Sequence, residues 1–143
     1  MEKVTNDSLI QQREQVLGLN WSTWLVLTES TIVGNVPKTF GIYKIRLKGG
    51  RKIPRLVGES EIVYLGRSGT TVNRTVRQRL LELIRKQAHI AWPRVERLQK
   101  ELKLNLEFCY AETEEPEVAE KMLLMAYERE HFELPPLNHV GGL

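Results

Sequence analysis

Glu120 is the carboxylate whose surroundings ask most for an explanation. Leu123, Leu124 and Tyr127 follow it at i+3, i+4 and i+7, so the acid shares a helix face with apolar side chains. A bare charge is expensive to bury. Glu120 therefore needs a partner, and either a divalent cation or an arginine would serve. Arg79 falls in a second helical pattern, about a quarter-turn from the centre of the stripe made by Val72, Val76, Leu80, Leu83 and Ile84. That places its charge at the edge of whatever the stripe packs on. Arg77 flanks the other side of the stripe and is the alternate, while Arg74 is expected to point to solvent. Tyr43 and Tyr64 lie in two strand-like segments and either face one pocket or simply pack. A phenol titrates near 10, so it serves as a base only where a cation lowers that value. A metal ion or Arg79 is the candidate cation.

The elements that must position these groups follow from pattern. Residues 7–17 read as a short helix, capped by Asp7 or Ser8 and ended by Gly18. Trp21, Trp24, Leu25 and Leu27 are the apolar anchors that would tie this N-terminal arm down. Residues 39–47 and 61–65 read as strands, the second stopped by Gly66, pairing antiparallel across a basic loop. Helical periodicity covers 71–87. A further helix starts near Pro93 and turns Val95, Leu98 and Leu102 inward. Residues 105–111 alternate as a third strand, 115–130 form a last helix from Pro116, and Pro135–Pro136 imposes an extended tail to Asn138. The expected class is α+β, a small central three-stranded sheet flanked by helices. The expected division is an N-terminal helical arm over 1–35 packed on a domain spanning 36–143.

Charge is distributed unevenly. The formal net charge is +3. Residues 44–67 carry seven basic and two acidic side chains, 71–105 nine and three, and 106–134 two and nine. A folded chain could present a basic face to a polyanion, with binding that falls steeply with salt. The single cysteine, Cys109, excludes an internal disulfide framework and a cysteine-rich zinc site. No apolar stretch approaches the ~20 residues of a spanning helix, and residues 1–7 lack a secretory apolar core. The expectation is a cytoplasmic protein with no membrane partner.

Gly41-Ile42-Tyr43 on the first strand and Tyr64-Leu65-Gly66 on the second, followed by an arginine-bearing helix, resemble the GIY-YIG nuclease family. Arg79 in Val76-Arg77-Gln78-Arg79-Leu80, Glu120 in Ala119-Glu120-Lys121-Met122-Leu123-Leu124, and Asn138 after Pro136-Leu137 continue the resemblance in family order. It spans roughly residues 38–140. About 20 residues separate Tyr43 from Tyr64, an enlarged connection for the family. Leu83 stands where the family often has a histidine, and His89 is the nearest one. The resemblance implies a DNA endonuclease that hydrolyses phosphodiesters with one Mg²⁺ or Mn²⁺ held by Glu120. It implies Arg79 on the phosphate oxygens, Tyr43 deprotonating or orienting the attacking water, Tyr64 in support, and Asn138 fixing the phosphate or a neighbouring side chain. Lys44, Arg46, Arg67 and Arg77 are candidates to position the DNA backbone. Two other readings keep the fold: a nucleic-acid-binding module that does not cut, and a subunit of a larger complex with Trp21, Trp24 and Trp92 facing a partner. His89, His131 and His139 read as ordinary surface or loop histidines.

Overall fold

The computed structural model describes residues 8–71, 73–86, 89 and 91–138, so Asp7, Val72 and His139 lie outside the described residues. In chain order the elements are α1 (Leu9–Val16), β1 (Leu25–Val26), α2 (Glu29–Asn35), β2 (Gly41–Leu47), β3 (Ile53–Pro54), β4 (Glu59–Ser60), β5 (Ile62–Arg67), α3 (Val76–Ile84), α4 (Trp92–Lys100), β6 (Leu106–Glu112) and α5 (Pro116–His131). The class is α+β. The main sheet is antiparallel with order β1-β6-β2-β5, and β3 and β4 form a separate hairpin. The three long strands sit where the sequence put them. The fourth, β1, is a correction to the three-stranded expectation. It is two residues long, too short for alternation to show, and is recruited by pairing Leu25 with Phe108 and Val26 with Glu107.

Period-2 alternation gives the sheet two different faces. Tyr43, Ile45 and Leu47 of β2 join Tyr64, Leu106 and Phe108 under α2, α3 and α4, whose Ile32, Val76, Leu80, Leu83 and Val95 close that core. Ile42, Leu65 and Ala111 face the other way, against Ala119 and Leu123 of α5 with Ile10 of α1 beside them. Buried apolar side chains of this size stabilise by about 1.5–3 kcal/mol each. Tyr43, Phe108, Ile45 and Leu80 are fully enclosed.

Helix starts follow their caps. The Ser8 hydroxyl accepts from the Gln11 amide, and the Gln11 side chain accepts from the Ser8 amide, so α1 opens on a capping box. Thr75 caps α3, which therefore begins at Val76 and not at residue 71. This displaces Arg74 into the preceding loop. Helix α2 has no apolar period of helical type and carries Gly34, so the sequence did not suggest it; Thr28 nucleates it by capping Thr31. Helix α4 stops at Lys100, which leaves Leu102 exposed instead of inward. Strand β5 runs through Gly66 to Arg67 because Gly66 pairs directly with Tyr43. No helix of the described residues is long and apolar enough to cross a membrane.

Candidate active site

Two glycines allow the strands to carry bulky aromatics side by side. A Cβ on Gly66 would lie 2.5 Å from Tyr43 Cζ, 2.7 Å from its hydroxyl and 2.6 Å from Tyr64 Cε2. Both phenols thus converge over the bare backbone of Gly66, with ring centroids 6.0 Å apart. A Cβ on Gly41 would meet the carbonyl oxygen of Ala111 at 2.2 Å. A residue with a side chain at either position could not supply this room; only the missing Cβ does.

His89, the histidine nearest to the position that the resemblance would give one, completes the aromatic cluster. It lies between α3 and α4, 4% exposed, with its Nε2 2.6 Å from the Tyr43 hydroxyl. Its ring centroid is 6.3 Å from that of Tyr43 and 5.6 Å from that of Tyr64. The expectation of an ordinary loop histidine is corrected by this burial. The Ala91 amide donates to Nδ1 at 3.1 Å. Burial, with Arg79 and Arg74 adding repulsion, holds the imidazole down to about 3, so the ring is neutral. With Nδ1 accepting, the ring proton resides on Nε2, and His89 donates to the Tyr43 oxygen.

Charged groups reach the phenols from two helices. Arg79 of α3 and Glu120 of α5 both act on Tyr43 and on Tyr64. Burial raises Tyr43 well above the ordinary phenol value, and Tyr64 is pushed up to about 12, by burial first and then by the Glu120 charge. Arg79 lowers both, but burial outweighs it. Arg79 NH1 donates to Glu82 at 2.5 Å, and Glu82, 8% exposed, also accepts from Gln78. Glu82 looks like a solvated position in the sequence; burial makes it a support for Arg79. Arg77, the alternate arginine, instead donates to the Val33 carbonyl of α2. Of these two helix arginines it is Arg79 whose charge acts on both phenols, and Arg67 at the end of β5 acts on Tyr64 as well. Arg74, expected in solvent on a helix, is exposed in the loop, and its charge acts on His89.

Comparison of the chain with family models, with curated proteins and with solved structures finds no match.

Glu120 is a quarter exposed, and burial raises its carboxyl above the ordinary value even though Arg67 Nε stands 3.4 Å away. Its negative charge is incompletely balanced, which is the condition under which a carboxylate gains from a cation. Among the described residues no three His, Cys, Asp or Glu side chains form a cage for a metal. The donor set fits a hard dication bound by one carboxylate, with water and substrate oxygens filling its other positions.

The remaining expected residues are placed elsewhere. Lys44 and Arg46 do not lie beside the tyrosines. Alternation turns them to the opposite face, where Lys44 pairs with Glu14 at 2.9 Å under Trp21, and Arg46 bridges Glu61 and Glu107 under Trp24. The expectation that these two meet a DNA backbone at this site is corrected: their charges pin α1 and the tryptophan segment to the sheet. Arg67 ends β5 beside Glu120 and Glu117. Asn138 pairs with the backbone of Leu65, its Nδ2 donating to the carbonyl at 2.8 Å and its Oδ1 accepting from the amide at 3.0 Å. Through these two bonds it extends the edge strand next to Tyr64.

Proposed function

We propose that this chain is a divalent-metal-dependent endonuclease that hydrolyses DNA phosphodiester bonds through a site of GIY-YIG type. One observation carries the reading: both phenols meet over Gly66 within the field of Arg79 and of Glu120, groups from four separate elements of the chain. A packed aromatic pair has no use for an incompletely balanced carboxylate whose charge reaches it from α5, whereas phosphoester cleavage uses every member.

Glu120 would hold Mg²⁺ or Mn²⁺, which when bound supplies Lewis-acid stabilisation of the departing oxygen. Arg79, steadied by Glu82, donates to phosphate oxygens as negative charge builds on them. Tyr43 is wholly enclosed and accepts from His89, so it holds Tyr64 in place. Tyr64 keeps 6% exposure and takes the water-facing position that the sequence assigned to Tyr43. Both phenols keep their protons at neutral pH in the free chain, so they orient the water until an added positive charge lowers them. His89, donating through Nε2, favours the phenolate of Tyr43 whenever a proton leaves the pair.

The Arg67–Glu120 pair at 3.4 Å is the one feature that favours a binding module, since it offers the acid a partner other than a metal. Supercoiled plasmid with Mg²⁺ or Mn²⁺ decides between the two. Wild type should convert it to nicked circles, with EDTA blocking the reaction. Glu120→Ala, Arg79→Ala and Tyr64→Phe should each lose at least ~100-fold in rate while retaining DNA binding. Binding by wild type with no nicking under either metal would leave the module reading in its place.

A further inference from the structure

We propose that the cavity between α2 and α3 binds a phosphate ester, with its anionic group held by Lys38, Arg77 and Arg85. The site lies outside the phenol cluster, and its argument does not depend on the endonuclease reading.

The cavity measures about 620 Å³, within the range of small-molecule sites. Helix α3 supplies most of it. Gln78, Leu81 and Arg85 follow at helical spacing and share a face, and Arg77 stands one turn before Leu81. Val33 of α2 and Lys38 beyond it line the cavity as well. Arg77 Nη2 donates to the Val33 carbonyl at 3.0 Å, which ties the two helices together.

Positive charge is in surplus here. No acidic side chain lines the cavity among the described residues. Lys38 is exposed and makes no hydrogen bond or ion pair among them. Arg77 has only the Val33 carbonyl there and no carboxylate. Arg85 pairs with Glu29 through Nε at 3.1 Å and Nη2 at 3.2 Å, which leaves Nη1. That pair is exposed on both sides, where ion pairs contribute little. The other acid on α3, Glu82, is buried and taken up by Arg79 and Gln78. Three cations therefore meet one carboxylate, and their mutual repulsion is relieved by an anion.

The neutral groups are suited to an oxyanion too. Thr75 lines the cavity and is 7% exposed. Its hydroxyl accepts from the Gln78 amide at 3.3 Å, and its own hydrogen has no acceptor among the described residues. Phosphate oxygens accept several forked donors at once, and two guanidiniums present such forks. Leu81 and the half-exposed Val33 offer apolar surface to the body of an ester, which bare phosphate would leave uncovered. The same chemistry is carried by a free mononucleotide and by the backbone of a nucleic-acid strand.

The test uses the full chain in EDTA at low salt. Deoxyadenosine monophosphate and deoxyadenosine are titrated by calorimetry, and a fluorescent DNA duplex by anisotropy. The monophosphate should bind and deoxyadenosine should not. Arg77→Gln should weaken binding at least ~10-fold, as loss of a charge-assisted hydrogen bond does. Lys38→Gln removes a side chain on which no bond of the fold depends and should weaken it about 2–5-fold. Lys103→Gln/Lys121→Gln removes two exposed charges outside the cavity and should change nothing. Weakening of the monophosphate alone assigns the site to a free ester; weakening of the duplex by the same cavity variants assigns it to a strand. The proposal is overturned if deoxyadenosine binds as well as its monophosphate. It is also overturned if neither the monophosphate nor the duplex is weakened by the cavity variants beyond the Lys103/Lys121 control, since binding would then belong to diffuse charge. Nicking enters none of these measurements, so a chain that has this site and never nicks loses the endonuclease reading alone.

Discussion

Glu120 serves the fold badly, and this gives it a signature. A carboxyl raised above its ordinary value binds its proton more tightly in the folded chain than in the unfolded one, so ionising it at neutral pH takes stability away. Glu120→Gln should therefore raise the melting temperature by a few degrees in EDTA while abolishing nicking. Mg²⁺ should raise the melting temperature of wild type but not of the variant; scanning fluorimetry with and without EDTA reads both. Stabilisation by Mg²⁺ that survives in Glu120→Gln would move the metal away from this residue. At this scale residue type and local spacing offered Tyr43, Tyr64, Arg79 and Glu120 as candidates, and the resemblance grouped them into one site. The sequence named His89 only as the histidine nearest to a family position and could not show its burial or Glu82, because a lone histidine in coil and a glutamate one turn from an arginine have no pattern until burial gives them one.

The elements that carry the site depend on close backbone approach. Strands β2 and β5 bring two phenols together only because residue 66 has no side chain. Gly66→Ala would drive a methyl group into both rings. It should destabilise by about 1–3 kcal/mol, as overpacked cores do, and lower nicking more than its melting temperature alone explains. A chemical-denaturation curve beside a rate measurement separates these effects; an unchanged rate would mean the rings need not meet there. Asn138 acts on the same strand by pairing with Leu65 along the edge of β5, so the tail supports Tyr64 through the backbone. Element positions were legible wherever alternation or helical period ran for several residues. β1, α2 and the β3–β4 hairpin were not, since two-residue strands and a seven-residue helix with Gly34 are made by pairing and capping.

Across the whole molecule, the two faces of the sheet divide the work. One face buries the phenol–imidazole cluster, and the other spends Lys44 and Arg46 on holding the N-terminal segment. The buried imidazole makes global stability sensitive to acid. Its folded value is about 3 against an ordinary 6.5, so the unfolded chain takes up the proton first. Stability from this group is fully present above pH ~6.5 and is lost as pH falls towards 3. The melting temperature of wild type should drop between pH 7 and pH 4.5, and drop less in His89→Gln. Equal drops in the two proteins would show that His89 is not buried as a neutral ring.

The sequence by itself determined the class of fold, the three long strands and the order of the chemical groups along the chain, because hydrophobic period and residue type are local properties. It also held, in the alternation of β2, the fact that Lys44 and Arg46 face away from Tyr43. The tertiary structure alone decided which groups are buried and which charges are already matched. Desolvation and ion pairing depend on side chains distant in sequence: Glu14 and Glu107 neutralise the cations of β2, His89 closes on Tyr43, and Arg67 leaves Glu120 only partly balanced.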